Sequence, residues 1–375
     1  MKKLLTLLLA GAAAISLAAC GGKKEKETLR VLNWGDYINQ DVVKKFEKKY
    51  NCNVKYDEVV SNEVMYSNIK TNTANYDIAV PSDYMIQKLK NDDLIMPIDF
   101  TKLKNYEDGM YRDKLQERID SEAADIKEYF VPYFWGSLGI MYNTSKAGVE
   151  EAVLANGFGC LFDQSVLPAG TKVGMYDCAR DAFAAAEAYL GKSLNSTDQA
   201  TLEACRDLIK NNSYDQFGGD DLKQAVAEGN LDLSLVYSGD YFDQRYQYIE
   251  NDEDPDSIFK LYAPKDKNNV FFDGLVIPKT SKNVELAHKF IDFFLDADNS
   301  FENTDYVGYA PVLKAVYEEF VNLATDTEGE DYEYYHALMA IDAFDPSKIT
   351  GAESYKYISK EFDATIEELF TNAKA

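Results

Sequence analysis

Aromatic side chains stand next to carboxylates at five points of the chain where a predicted strand ends or crosses. These points are Trp34-Gly35-Asp36-Tyr37, Pro81-Ser82-Asp83-Tyr84, Tyr176-Asp177, Tyr237-Ser238-Gly239-Asp240 and Phe271-Phe272-Asp273. Ligands of doubly wound sheets bind beyond the carboxyl ends of the strands, so these side chains are candidates for one shared site. Aromatic walls with interspersed carboxylates suit an organic cation.

An organic cation gains from both kinds of side chain. An ammonium over a ring face is stabilised by roughly 0.5–2 kcal/mol. A carboxylate adds a charge-assisted hydrogen bond, and rings shield the methylenes between the charges. An anion site would need arginine or a glycine-rich turn at a helix start. Only Arg180 stands near one of these strand ends.

Each candidate also has a structural interpretation. Trp34 could belong to the core, and single tyrosines are often half-buried packing residues. Asp177 has the position of an ordinary N-cap. Asp181 could complement a helix dipole as well as face a ligand. Asp273 lies in a hydrophobic strand and requires a partner, which could be a ligand ammonium or a backbone turn.

The motifs of common enzyme classes are missing from the sequence. There is no G-x-S-x-G, no H-E-x-x-H, no P-loop and no G-x-G-x-x-G. The two histidines, His288 and His336, leave little for a catalytic triad or a metal site. We therefore predict no catalytic residue, no cofactor and no metal. Paired carboxylates of a hydrolase stay open as an alternative.

Alternating strands and helices must position the strand-end side chains. Periodicity predicts strands followed by helices in both halves of the chain, which implies right-handed crossovers and a doubly wound sheet in each. The C-terminal part, from about Asn283, is predicted to be helical throughout. The predicted strands are Leu29–Trp34, Asn53–Val60, Tyr76–Val80, Lys172–Tyr176 and Leu231–Tyr237, and the helices are Asp41–Tyr50, Glu63–Thr73, one after Tyr84, and Ala179–Leu190.

Two apolar stretches, Phe130–Asn143 and Val270–Pro278, are predicted to cross between the halves. Two α/β lobes joined by two crossings form a hinged clamshell with a cleft between them. The predicted fold is therefore a two-lobed α/β clamshell, each lobe a doubly wound mixed sheet. The predicted lobes are 29–134 plus about 274–318, and about 135–273 plus 319–375.

The charge of the chain excludes one class of partner. The 375 residues carry 39 Lys and Arg against 64 Asp and Glu, a formal charge of −25, with an excess of tyrosine at 27 residues. A nucleic-acid binder needs the opposite sign, because phosphate contacts come from Lys and Arg. Cationic ligands are the natural partners of such a surface, and solubility alone is the other interpretation of the net charge.

The N-terminus has the pattern of an exported lipoprotein. Lys2 and Lys3 precede an apolar run that ends in Leu17-Ala18-Ala19-Cys20, which indicates a signal peptide over 1–19. This end resembles the bacterial lipobox, in which Cys20 becomes the lipid-modified N-terminus. Residues 20–28 would form a polar tether. An uncleaved membrane helix needs about twenty apolar residues, more than this run supplies.

Four cysteines remain beyond the predicted lipidation site. They are Cys52, Cys160, Cys178 and Cys205. Export permits disulfides, but four cysteines allow three complete pairings, and free buried thiols are an equally good interpretation. No C-x-x-C occurs, which argues against zinc ribbons.

Several blocks of the chain, from about Leu29 to the C-terminus, resemble the spermidine/putrescine-binding proteins of bacterial ABC importers. The blocks, in order, are LNWGDYI, VPSDYMIQKLK, PYFWGSLGIMYN, DCARDAF, FFDGLVIP and GYAPV. The resemblance implies a clamshell that closes around a linear polyamine and delivers it to a membrane permease.

The resemblance also implies roles for single residues. Asp273 would hold an ammonium, Asp181 would be a second carboxylate, Asp36 would approach one end of the ligand, and Ser82 would hydrogen-bond near an amine. Tyr237 and Phe271 stand where the family often has tryptophan, and Cys178 stands where the spermidine binder has an acid. The implied aromatic box consists of Trp34, Tyr37, Tyr84, Tyr237, Phe271 and Tyr309.

These observations predict a lipid-anchored, monomeric solute-binding protein on the outer face of a bacterial membrane, without enzymatic activity. Its partners would be putrescine or spermidine, ABC permease subunits, and the membrane through the lipid on Cys20. The alternatives are a receptor for another organic cation or small amine, and an extracellular hydrolase with paired carboxylates.

Overall fold

The computed structural model describes residues 26–375, so the predicted signal peptide and Cys20 lie outside the described residues. Strands and helices alternate through most of this range. The strands are β1 (Thr28–Trp34), β2 (Asn53–Val59), β3 (Ile78–Ala79), β4 (Ile95–Met96), β5 (Val131–Asn143), β6 (Val173–Tyr176), β7 (Gln216–Gly218), β8 (Leu233–Tyr237), β9 (Phe259–Tyr262), β10 (Asn268–Leu275), β11 (Ile277–Pro278), β12 (Ala310–Pro311) and β13 (Ala352–Glu353).

Helices follow most of the strands. They are α1 (Gln40–Tyr50), α2 (Asn62–Thr71), α3 (Asp83–Asn91), α4 (Asp113–Glu122), α5 (Val149–Asn156), α6 (Gly159–Phe162), α7 (Ala179–Tyr189), α8 (Gln199–Lys210), α9 (Asp221–Ala227), α10 (Ser238–Glu250), α11 (Val284–Leu295), α12 (Ala297–Val307), α13 (Lys314–Thr325), α14 (Tyr332–Ala340) and α15 (Lys360–Lys374). Within residues 26–375, no helix has the length and apolar character needed to cross a membrane.

The small sheet consists of β1, β2 and β3 in the order β2-β1-β3, and its strands are parallel. Trp34 pairs with Val59, and Leu32 pairs with Ala79, so the three strands end at the same edge. Parallel strands need a crossover, and here α1 and α2 provide it. The strand–helix alternation predicted for this part of the chain is confirmed.

The large sheet has the order β13-β10-β5-β8-β6-β7, with β9 and β12 also paired to β5. β6 runs parallel to β7 and β8, whereas β5 runs antiparallel to β8 and β10. The sheet is therefore mixed. Its parallel part again brings strand ends together, at Tyr176 and Tyr237.

The predicted crossing stretch Phe130–Asn143 corresponds to strand β5, which begins one residue later. All thirteen residues of β5 are buried. Its first half pairs with β10, from Val131 to Ser137. Its second half pairs with β8, from Leu138 to Tyr142. One continuous strand therefore joins β10 to β8 within the large sheet.

The second crossing, through β10, is irregular at Asp273. The pairing of β10 with β5 shifts between Asp273 and Gly274, which is the position of a β-bulge. Around the shift the chain also pairs with β3 and with the residue that caps α3, through Ala79 with Val276 and Ser82 with Asp273. Bulges redirect side chains and end strand pairing. The bulge thus places Asp273 where the two sheets meet.

The helices bury the faces that the sequence indicates. In α1, Val42, Val43 and Phe46 are buried, and the Asn39 side chain caps the N-terminus by accepting a hydrogen bond from the amide of Asp41. Apolar residues at helical spacing on one side, with a polar cap at the start, explain why this segment forms a helix and packs on the small sheet.

The prediction of a uniformly helical C-terminal part from about Asn283 is wrong at two places. Strand β12 follows Gly308, which ends α12 with a φ of 81°. Between α14 and α15 the chain forms short 3₁₀ turns and strand β13, around Pro346. Glycine at positive φ ends helices readily, and proline removes a helical donor.

Candidate functional site

One cavity of about 850 Å³ lies where the two sheets meet, and all ten predicted binding residues line it. The ends of β1, β6, β8 and β10 contribute its walls, together with the starts of α2, α3, α7 and α10. This is the position that doubly wound sheets give to ligands. The ten residues are Trp34, Asp36, Tyr37, Ser82, Tyr84, Asp181, Tyr237, Phe271, Asp273 and Tyr309.

A continuous series of aromatic rings forms one wall. The ring centroids of Tyr37 and Tyr309 are 4.8 Å apart, and those of Tyr309 and Phe271 are 6.3 Å apart. The series continues from Phe271 to Tyr237 at 5.3 Å and from Tyr237 to Tyr176 at 4.9 Å. Ring faces of this kind shield methylenes and attract cations.

Trp34, the last residue of β1, also lines the cavity. It is half-buried, and its indole N–H donates a hydrogen bond of 2.8 Å to the Val80 carbonyl. That bond satisfies the only polar atom of the side chain and fixes the ring. Trp34 therefore lies in the cavity wall and not in the fully buried core.

Asp273 is the least satisfied carboxylate of the cavity. It is buried, and the Tyr37 hydroxyl donates a hydrogen bond of 2.5 Å to its Oδ2. Its Oδ1 is buried without a hydrogen-bond partner among the described residues. Burial raises the pKa of Asp273 to about 6, against the lowering effects of the Tyr37 and Ser82 hydroxyls. A buried carboxylate oxygen without a donor is a site for a cation.

Asp181 lies in the first turn of α7 and is also buried. It accepts hydrogen bonds from the hydroxyls of Tyr237, at 2.6 Å, and Tyr355, at 3.0 Å. Burial raises its pKa, although these hydroxyls act in the opposite direction. Asp181 therefore lies where a carboxylate complements the dipole of α7, and it also lines the cavity, so the structural and the ligand-binding interpretation both fit its position.

A third carboxylate, Asp240, closes the aromatic wall. It accepts hydrogen bonds of 3.0 Å from the hydroxyls of Tyr309 and Tyr176, and one of 3.0 Å from the amide of Tyr237. Burial and the neighbouring Asp220 raise its pKa to about 7. All its oxygens therefore already have donors from the protein.

The remaining predicted residues lie at the rim or support the wall. The side chain of Asp36 is 67% exposed. Ser82 exchanges hydrogen bonds of 3.1 Å with the Asn62 side chain, and the Tyr84 hydroxyl donates to Glu63 at 3.0 Å. Asp177 is not the N-cap of α7, because Cys178 occupies that position, and it pairs with Lys374 instead.

Several cavity residues were not among the predicted site residues. Tyr176 and Asp240 belong to the strand-end groups that the sequence indicates, but they were not among the ten predicted binding residues. Tyr355 follows β13, in the segment that was predicted as helix. Glu63, Asp220 and Lys223 come from helix starts and loops whose sequence carries no motif.

The cavity is strongly acidic. Ten carboxylates line it against three cationic side chains, Arg180, Lys223 and Lys374. Arg180 stacks on the Tyr355 ring at 4.8 Å and donates to Asn195, and Lys374 pairs with Asp177. The carboxylates are Asp36, Glu63, Asp177, Asp181, Asp220, Asp221, Asp240, Asp243, Asp273 and Glu367.

The cysteines of the described range are all free thiols, which is one of the two interpretations that the sequence left open. Cys178 lines the cavity, and burial raises its pKa well above the ordinary thiol value. Among residues 26–375, no group of three His, Cys, Asp or Glu side chains is arranged to hold a metal ion.

The geometry agrees with a family match over most of the chain. Residues 41–330 match the family of bacterial extracellular solute-binding proteins. The chain belongs to this family. The family binds solutes for ABC transporters and is not a family of enzymes, so the prediction of a non-enzymatic protein is confirmed.

Relatives with assigned ligands extend the match. The spermidine/putrescine-binding periplasmic protein of Escherichia coli is 29% identical over 81% of this chain and 82% of its own. The putrescine-binding protein PotF of the same organism is 29% identical over 84% of this chain and 85% of its own. The resemblance read from the sequence blocks is thereby confirmed.

Solved structures show the same fold. A Listeria monocytogenes protein, provisionally named a spermidine/putrescine ABC transporter, superposes with a TM-score of 0.75 at 31% identity, over 93% of this chain and 99% of its own. The substrate-binding protein PotD of Streptococcus pneumoniae gives 0.68 at 27% identity, over 93% and 99%. The predicted two-lobed α/β clamshell is confirmed.

Proposed function

We propose that this protein captures a linear polyamine in the cavity between its lobes and delivers it to an ABC permease. The observation that carries the proposal is the buried, unpartnered Oδ1 of Asp273 in an acidic, ring-lined cavity. The names of the relatives support the same ligand class, since they bind spermidine or putrescine.

One ammonium of the ligand binds at Asp273. The free Oδ1 accepts its hydrogen bond, while Oδ2 keeps the Tyr37 hydroxyl. Tyr309 and Phe271 stand beside the same position and offer ring faces. Hydrogen bonds to charged groups contribute roughly 1.5–3 kcal/mol each, which makes this contact the largest single contribution to affinity.

A second ammonium binds toward Asp181. The aromatic wall runs from Phe271 to Tyr237, whose hydroxyl touches Asp181, so the methylenes of a linear ligand have apolar contacts between the two carboxylates. Choline and betaine have one cationic centre and no such second contact. Two buried acids separated by rings favour a ligand with an amine at each end.

Ligand contacts come from both lobes and drive closure. We assign 29–134 plus about 274–318 to the first lobe, and about 135–273 plus 319–375 to the second. Tyr37 and Tyr309 then belong to one lobe, and Asp181 and Tyr237 to the other. A ligand that touches both sets stabilises the closed arrangement relative to an open one.

We also propose that a lipid anchor at the N-terminus sets the location of the protein. Cys20, which lies outside the described residues, carries a lipid that holds the monomeric protein at the outer face of the membrane, next to its permease. Cys20→Ser is expected to move the protein from the membrane fraction to the soluble extracytoplasmic fraction. Equal membrane retention of both forms would contradict the anchor and leave the ligand assignment standing.

The ligand assignment is tested by calorimetric titration of the purified protein with putrescine, cadaverine, spermidine, spermine, choline and betaine. We expect saturable binding of at least one polyamine and none of choline or betaine. Melting temperature gives an independent readout, because saturating ligand at a hundred times Kd stabilises the folded state by about 2.7 kcal/mol. Absence of binding by every polyamine would overturn the proposal.

A further inference from the structure

One side of the cavity already contains an amine of the protein. Lys223, on α9, is buried, and its Nζ lies 2.7 Å from a carboxylate oxygen of Asp243 and 3.8 Å from one of Asp36. Asp220 and Asp240 are its other acidic neighbours, and both act to hold Lys223 in the charged form. The Lys223 ammonium thus sits among carboxylates in the manner of a bound ligand amine.

The acids around Lys223 are occupied by donors of the protein. Asp243 accepts from Lys223 and, at 3.0 Å, from the Gln247 side chain. Asp240 accepts from two tyrosine hydroxyls and one backbone amide. An incoming ammonium would have to displace these donors and approach the like charge of Lys223.

On the other side of the cavity the nearest cation is Arg180, which stacks on the Tyr355 ring and lowers the pKa of Asp181 but does not form an ion pair with it. Within residues 26–375, no lysine or arginine nitrogen lies within ion-pair distance, 4.0 Å, of Asp181 or Asp273. Asp273 keeps an oxygen without any partner. The cavity therefore divides into an open part, at Asp181 and Asp273, and a filled part, at Lys223.

We propose that Lys223 is a specificity-determining residue that takes the place of a third ligand ammonium and restricts the cavity to short diamines. This inference rests on the proposed function and adds a selection by ligand length. A diamine uses Asp273 and Asp181 and leaves Lys223 in place. A triamine or tetramine extends an additional ammonium toward Lys223 and is repelled.

The test is the ratio of two dissociation constants. Putrescine and spermidine are titrated calorimetrically into the wild-type protein, and we expect putrescine to bind more tightly. In Lys223→Met the vacated carboxylates offer an additional ammonium site, so spermidine should gain roughly tenfold or more relative to putrescine. Lys223→Gln removes the same charge, keeps a polar contact to Asp243, and is expected to change the ratio in the same direction.

Lys88→Met is the matched control. Lys88 has a side chain 11% exposed, against 9% for Lys223, and pairs with Asp363 at the same 2.7 Å, but it does not line the cavity. Its removal should leave the ratio unchanged. Circular dichroism and melting temperature separate any loss of folding in a variant from a change in preference.

The outcomes separate the two proposals. Binding of polyamines with a ratio unaffected by Lys223→Met and Lys223→Gln, or equally affected by Lys88→Met, would overturn the role of Lys223 and leave the proposed function intact. Tighter binding of spermidine than putrescine by the wild-type protein would also overturn it. Failure of the wild-type protein to bind any polyamine would overturn both.

Discussion

Two depressions in the described part of the chain have nearly equal size, but one is balanced in charge and the other is strongly acidic. The cavity described above measures about 850 Å³, and a groove beside β9, lined by Tyr142, Tyr189 and Tyr262, measures about 870 Å³. The groove has three carboxylates and three lysines, whereas the cavity has ten carboxylates and three cations. Size and tyrosine content alone do not distinguish a binding site.

The difference lies in how many polar groups lack a partner. In the groove, Lys260 pairs with Glu150 at 2.8 Å, and Lys265 pairs with Asp342 at 2.6 Å. Of the buried side-chain atoms without a hydrogen bond in the described range, three belong to the cavity, on Arg180, Asn269 and Asp273, and none to the groove. The cavity therefore holds buried polar atoms that lack a partner, whereas no such atom among the described residues lines the groove.

The largest expected effect comes from Asp273→Asn. This change keeps the shape of the side chain and removes the charge that holds an ammonium, so polyamine affinity should fall roughly tenfold to a hundredfold, equivalent to about 1.5–3 kcal/mol. Titration calorimetry measures it. Asp342→Asn, in the groove, should bind as the wild type does, and equal losses in the two variants would remove the distinction between the depressions.

The pH dependence of binding should follow the same carboxylate. The pKa of Asp273 is raised to about 6, so its proton competes with the ligand below that pH. Affinity should be about tenfold lower at pH 5 than at pH 7, since one carboxyl with that pKa must lose its proton.

The free energy of unfolding of the ligand-free protein should fall as pH rises, whereas ligand affinity should increase. A carboxyl whose pKa is raised on folding favours the folded state at pH values below its unfolded pKa, and that contribution is lost as pH rises through the folded value. For Asp273 the window lies between about 4 and 6. Denaturant melts of the wild type and Asp273→Asn across this window should converge at low pH. Parallel profiles would show that another group dominates.

A smaller effect is expected from the aromatic wall. Phe271→Leu retains apolar volume but removes a ring face next to the ligand, which should weaken binding by about 0.5–2 kcal/mol. Tyr262→Leu makes the corresponding change in the groove and should leave the dissociation constant where it was. If Phe271→Leu binds as tightly as the wild type, the wall acts through burial of methylenes alone.

The smallest effect is expected from Asp36→Asn. Its side chain is 67% exposed, and water screens an exposed charge, so the loss should be about 0.2–1 kcal/mol, a few-fold at most. The effect should shrink further at high salt, unlike that of Asp273→Asn. An effect of Asp36→Asn as large as that of Asp273→Asn would mean that the rim closes over the ligand more tightly than its exposure indicates.

Much of the fold and the cavity could be predicted from the sequence because both depend on local periodicity. Buried residues recur at regular spacing in the strands and in helices such as α1, and the sequence shows this spacing directly. Parallel neighbouring strands end at the same edge of a sheet, so the residues that follow them lie close together. That rule brings Trp34, Tyr237 and Asp273 to one place. It requires no knowledge of which side chains touch.

The rest depends on contacts between distant, non-periodic segments. At the bulge near Asp273 the strand contacts both β5 and the Pro81–Ser82 segment, a contact between distant segments that composition does not indicate. Tyr355 donates a hydrogen bond to Asp181 from the segment of turns between α14 and α15, which the sequence predicts to be helical. Nothing in the sequence around Lys223 distinguishes it from a surface lysine, because its ion pair with Asp243 depends on how α9 packs.

The hydrogen bonds of the cavity have a consequence for folding. Tyr37 and Asp273 are 236 positions apart in the chain, and Tyr355 and Asp181 are 174 apart. Contacts of such separation form late, because the entropy of closing long loops must be overcome first. No fragment that lacks either terminal region contains the complete cavity. The cavity is therefore complete only when residues from both ends of the described range, from Trp34 to Lys374, have come together.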